Sequence, residues 1–307
     1  SYREFQGTRV ELQSLDLLGS SLALRRDLET LNNLVQINVA LGQSGKAGNV
    51  ETQIGTLEQG VLARLQGLTA MATDPEQVVL FDAKRDEMIN AFKAQQTEKS
   101  LQSKSALISK LLGNAQVFGQ IIASQAGLSH DSQSDMRQLS ELVTNITPRV
   151  TQMLGEGRAL GSASLGQGFL NSSSSTRFDE LLVQLDKLHA EYGLKLQDAT
   201  GSSNAARETL ATQADSSKAS LKKASELFEE QVVMADTLDA PWQGFYDQVS
   251  ALMGQTYQLN EATLKFLGTQ LQQRLDQNRT HMILQAVALS VVFVLIFYLY
   301  GAFYAST

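Results

Sequence analysis

Four arginines, Arg25, Arg26, Arg149 and Arg158, are the side chains of this sequence best suited to selective chemistry. A guanidinium held between helices presents its N–H donors in a planar fork and grips a carboxylate or phosphate through two parallel hydrogen bonds. On a solvated helix face the same residues bind nothing, and both readings stand at this level. Trp242 and Tyr246 are one helical turn apart. They can form the aromatic wall of a site or pack in the core at the start of a helix. Asn114 and Gln116 lie among apolar positions and offer uncharged hydrogen-bonding contacts.

Other chemistries lack their residues. His130, His189 and His281 fall on separate segments without metal-ligand spacing and read as surface histidines. The sequence has no cysteine, which removes disulfides, thiolate catalysis and cysteine-ligated zinc. Gly155-x-Gly157 with Gly161, Gly166 and Gly168 has the outline of a phosphate loop, but it follows a helical pattern and lacks Gly-Lys-Ser/Thr. Ser172–Ser175 reads as a loop tract without nucleophile context. The expectation is no enzyme, no cofactor and no metal. The formal charge is -7. Lys218, Lys222 and Lys223 are interleaved with Glu226, Glu229 and Glu230, so no basic footprint for nucleic acid exists.

The elements that would position these residues are helices. Aromatics make up 7% of the 307 residues and only three prolines occur, which favours long helices over a sandwich. The first stretch, about Tyr2–Leu41, carries Leu24, Leu28, Leu31 and Val35 in heptad spacing; a second runs over about Val50–Ala72. Asp74 can cap a third, long helix from Pro75 to about Gly127, striped by Ile108, Leu111, Ala115, Phe118 and Ile122. A fourth runs from about Gln133 towards Gly161 with a bend at Pro148. Residues 161–175 read as a loose Gly-Ser tract. A fifth helix carries Phe178, Leu181, Leu185, Leu188 and Tyr192, and a sixth, after Gly201–Asn204, reaches about Met234. The last opens at Trp242 and keeps Phe245, Val249, Leu252, Thr256, Leu259, Thr263 and Phe266 in register. No period-2 alternation occurs, so the fold class is all-α, an elongated antiparallel helical bundle.

Met282 to Ala305 contains no charged residue. A hydrocarbon core of roughly 30 Å needs about 20 apolar helical residues, so this run reads as a transmembrane helix. Tyr298, Tyr300 and Tyr304 sit where interfacial aromatics belong. No strong breaker separates Trp242 from the run, so one rod longer than about 80 Å is expected to enter the bilayer.

Heptad-patterned helices leading into a span that ends Tyr298-Leu299-Tyr300-Gly301-Ala302-Phe303-Tyr304 resemble the second transmembrane segment of bacterial methyl-accepting chemotaxis proteins. Ile121–Asp131, Pro148-Arg149 and Gly155–Gly161 resemble the helix–turn and following helix of one group of all-helical chemoreceptor sensor domains. The resemblance implies an extracytoplasmic sensor over residues 1–280, a transmembrane helix over 281–305, and a cytoplasmic linker starting at 306–307 with its output module outside this sequence. It allows two stacked four-helix modules. It implies a homodimer in the bacterial inner membrane, with residues 1–280 periplasmic and with cytoplasmic signalling partners. The expected ligand is a small polar or anionic solute, or a periplasmic binding protein carrying one. It would engage Arg25, Arg26, Arg149, Arg158, Trp242 and Tyr246, and movement of the last helix would carry the signal. A sensor histidine kinase, a cyclic-dinucleotide enzyme with the same input, and a membrane-anchored structural coiled coil are the alternatives.

Overall fold

The computed structural model describes residues 2–307 and contains helices and no strand among them. α1 (Tyr2–Leu41) and α2 (Val50–Gln66) form a hairpin; α3 (Pro75–Thr97) and α4 (Leu101–Ala126) form another. After a tight turn at Leu128–His130, α5 (Ser134–Glu141) passes through a π-helical turn, Leu142–Ile146, into α6 (Thr147–Gln167). α7 (Ser172–Thr200) and α8 (Asn204–Phe228) lead through a second π turn to α9 (Trp242–Ser306).

The stripes predicted from spacing are the core. Leu24, Leu28, Leu31 and Val35 of α1 are fully buried, as are Ile108, Leu111, Ala115, Phe118 and Ile122 of α4. The stripe on α7 is also inside. Burying each such aliphatic side chain contributes about 1.5–3 kcal/mol. α1 through α4 make one four-helix set and α6 through α9 a second, with α1 also packed on α6 and α9.

The sets lie side by side and are not stacked. A stack would give α1 one set along its first half and the other along its second. Instead Gly119 of α4 faces Ser21, and Ser109 of α4 bonds Asn32. At the same levels of α1, Arg25 meets Pro148, and Asn33 meets Arg158 of α6.

Three expected boundaries move. α2 stops at Gln66, because Gly67 closes it and the Leu68 carbonyl is taken by Arg85 of α3. The stretch 75–127 is two helices. Ser100 caps α4 by accepting from the Ser103 N–H, and the break lets α3 fold back so that Phe81 meets Phe118 at 4.9 Å. Residues 161–167 are not loose: they finish α6 inside the second set. Their glycines permit that closeness, since a Cβ at Gly161 would come within 2.4 Å of Phe245 and one at Gly166 within 2.4 Å of Leu41. The loop shrinks to residues 168–171, where Gly168 adopts φ 83.

At Pro148 the regular α-helical pattern is interrupted by the π-helical turn Leu142–Ile146, which ends two residues before it. Proline lacks the N–H that would pair with the Thr144 carbonyl. Gln116 of α4 donates to that carbonyl instead, at 2.5 Å.

α9 runs unbroken for 65 residues, about 97 Å. It packs in the second set as far as Leu271 and is exposed from Leu284 onward. That exposed part is long and apolar enough to cross a membrane, with a mean hydropathy of 2.6 over its best window.

Candidate functional site

The seam between the two sets is polar although the core on either side is not. On α1, Arg25, Glu29 and Asn33 succeed one another four residues apart, a single row along the helix. All three are buried. Glu29 lies at the centre. It accepts from Thr151 of α6 at 2.9 Å and from Tyr257 of α9 at 2.5 Å, and Arg25 stands 3.6 Å away. Burial pushes the Glu29 carboxyl up, and Arg25, Tyr257 and Thr151 oppose that. Two hydrogen-bond donors, Thr151 and Tyr257, and the Arg25 cation beside them are the surroundings a carboxylate needs when it is taken out of water. The Tyr257 hydroxyl is driven well above its ordinary range by burial and by the Glu29 charge.

Beside this row is a cavity of about 650 Å³, bounded by α1, α4 and the π turn with α6. That volume is in the range of small-molecule sites. Arg25, Glu29, Asn32, Asn33 and Gln36 line one wall; Ser109, Gln116 and Gln120 a second; Asn145, Arg149 and Gln152 a third. Leu112 and Pro148 supply apolar surface, and Gly113 and Gly155 leave flat backbone.

The structure sorts the residues singled out from sequence. Arg25 and Arg149 share the cavity. Arg149 is half exposed and pairs with Glu191 of α7 at 3.1 Å. Arg158 lies behind the Asn33 wall; it donates to Asn33 at 2.7 Å and to Ser250 at 3.0 Å, and lies 4.6 Å over the Tyr246 ring. Arg26 does not line this cavity and lies 4.4 Å over the ring of Tyr257. Trp242 meets Tyr246 edge-on and donates to the Lys46 carbonyl at 2.8 Å, closing the end of the fold distant from the apolar span. Neither aromatic lines the cavity. Gln116 does, and Asn114 does not.

Sequence reasoning missed Glu29, Thr151 and Tyr257, which tie the cavity wall to α9. The signal was present in the row Arg25, Glu29, Asn33 beside the leucine stripe: a polar line adjoining an apolar one announces a buried network when both fall on the inner face.

A second charged centre lies where α9 leaves the bundle. Arg274 grips Asp131, in the turn before α5, with both guanidinium arms at 2.6 and 2.9 Å. Glu11 of α1 stands 4.0 Å from Arg274. Burial, then the hydrogen bond to Asp131, pushes the Glu11 carboxyl up to about 9. Burial also opposes ionisation of Asp131, but the bonds from Arg274 prevail and hold it down at about 2.

Compared with known proteins, the chain matches no family model, no curated protein and no solved structure.

Proposed function

We propose that this chain is the sensing and membrane-crossing part of a bacterial receptor of the chemotaxis type, with no catalytic role of its own. The supporting observation is the Glu29 junction. One carboxylate forms part of the cavity wall and is hydrogen-bonded to the helix that continues into the apolar span. A solute that displaces α6 or α1 at the cavity changes the Glu29 geometry and so biases the position of α9. Signalling of this kind needs only a few kcal/mol of differential affinity between two packings.

In this reading residues 1–280 are periplasmic, residues 281–305 cross the inner membrane, and a cytoplasmic module receives the displacement. The input is a small polar solute or a binding protein carrying one. A histidine kinase or a cyclic-dinucleotide enzyme could be driven by the same rod. A purely structural anchor has no use for a polar cavity hydrogen-bonded to its membrane helix. We place a homodimer with α1 and α9 nearest the twofold axis. The inward stripe of α1 is consumed within the chain, so a second copy would meet the open groove of Leu12, Gly19, Leu264 and Gly268.

Reporter fusions after Thr307 test the placement. A fluorescent protein should light up there and alkaline phosphatase should stay inactive; the reverse pattern sinks the receptor reading. A chimera carrying a chemoreceptor signalling module should change kinase output in the Tyr257→Phe variant. Unchanged output would count against α9 as the transmitting element.

A further inference from the structure

We propose that the cavity between α1, α4 and α6 takes a net-neutral solute bearing amide groups, such as a cyclic amide or a carboxamide, in preference to an anion. The inference rests on the receptor reading in treating this cavity as the input site.

Charge compensation is the first argument. The lining contains two arginines, Arg25 and Arg149, and two glutamates, Glu29 and Glu156, so its formal charges cancel. Each is also engaged locally. Arg25 faces Glu29 at 3.6 Å, Arg149 holds Glu191, and Glu156 is held by Arg177 with one arm at 2.7 Å. An incoming carboxylate or phosphate would have to displace a carboxylate already in place, and no uncompensated cation awaits it. A carboxylate pushed against Glu29 and Glu156 also meets like-charge repulsion, undiminished where the wall is buried.

The second argument is the type of the remaining groups. Asn32, Asn33, Gln36, Gln116, Gln120, Asn145 and Gln152 all carry side-chain amides, each both donor and acceptor. Some bond one another: Gln116 and Gln120 donate to Asn145, and Ser109 to Asn32. Gln36 and Gln152 have no side-chain hydrogen bond to protein among the described residues. Arg25, only 8% exposed, keeps an Nε donor without a partner. A surface that pairs donors with acceptors is matched by a solute that does the same, and the amide group is the commonest such unit. Flat backbone at Gly113 and Gly155 and the apolar faces of Leu112 and Pro148 suit a planar body.

Gly113 supplies the test. A Cβ there meets no heavy atom within 4 Å, and a side chain in place of glycine favours the helix. Gly113→Phe therefore obstructs the cavity without disturbing the fold. Gly55→Phe on α2, also open, is the control outside the cavity. The full chain in lipid nanodiscs would be titrated with uracil, hypoxanthine and L-glutamine, and separately with succinate and inorganic phosphate, following the melting temperature and the heat of binding. At least one amide-bearing probe should raise the melting temperature by several degrees at millimolar concentration. Gly113→Phe should lose at least tenfold in affinity and Gly55→Phe should lose none. Succinate or phosphate binding in place of the amides, no response to any probe, or a response that survives in Gly113→Phe each overturns the proposal. The Thr307 fusions report on the receptor reading independently, so the two can fail separately.

Discussion

Tyr257 of α9 donates its phenolic hydrogen to Glu29 of α1 across 2.5 Å, joining residues 228 positions apart in sequence at the wall of the cavity. Tyr257→Phe keeps the ring, and with it the face that Arg26 covers, and deletes only this bond. A buried carboxylate loses one of its two hydrogen-bond donors, so the variant should be less stable by about 1–3 kcal/mol. Glu29→Gln combined with it should cost less than the sum of the two single changes, because both act on one bond. Chemical denaturation of the four proteins measures the coupling, and strict additivity would refute it.

The Glu11–Asp131–Arg274 cluster predicts a pH dependence with two limbs. Glu11 binds its proton more tightly when folded, at about 9 against 4.5, so its contribution is full below 4.5 and drains away as pH climbs towards 9. Asp131 titrates at about 2 against 3.8, so its contribution is full above 3.8 and is lost as pH falls towards 2. Glu11→Gln should flatten the alkaline limb and leave the acid limb in place. Melting curves between about pH 3 and pH 9 check this.

Arg274→Ala removes the partner of Asp131, whose side chain is 1% exposed. The expected loss is about 2–3 kcal/mol, below the ~3–5 of a fully enclosed pair because Arg274 is partly solvated. Hydrogen exchange should show the Leu128–Glu141 segment opening more readily, while amides of α2 and α3 stay protected. Uniform loosening would argue against a local tie.

Within the first set, Lys104 stands 3.1 Å from Glu58, and Gln95 donates to the same carboxylate at 3.2 Å. Lys104→Met should cost about 3 kcal/mol by leaving Glu58 enclosed without its cation. Adding Glu58→Leu should recover most of that loss. Urea denaturation distinguishes the outcomes.

The glycines of α6 should be intolerant in proportion to what they face. A Cβ at Gly157 would come within 2.2 Å of Phe228, so Gly157→Ala should destabilise by about 1–3 kcal/mol despite its gain in helix propensity. Gly60→Ala on α2 meets nothing within 4 Å and should stabilise by about 0.5–1 kcal/mol. Thermal denaturation of both variants tests the contrast.

The helices and their inward faces were legible because apolar periodicity encodes burial directly. The leucine row of α1 and the stripe from Phe178 to Tyr192 needed no tertiary information. The break at Glu98–Ser100 was not legible, since helix-compatible polar residues fill it and only the packing of Phe81 on Phe118 requires it. Gly161 and Gly166 misled for a related reason: glycine marks a loop or a close approach equally well until the facing Phe245 and Leu41 are known. The arginines could be nominated as polar contacts. Arg25 has its partner Glu29 one turn along the same helix, but Glu191, Ser250 and Tyr257, which engage Arg149, Arg158 and Arg26, lie on other helices that local spacing does not reveal.

α9 has no joint between Trp242 and Ser306. A helix turns by about 100° for each residue, so its two ends keep a fixed angular phase. Adding one residue between Leu271 and Met282 would swing whatever follows Thr307 by about 100° and advance it by about 1.5 Å. Adding seven would bring it nearly back to its original bearing, only farther out. The spacing between the cavity and the end of the apolar run is therefore a setting of azimuth as well as of distance.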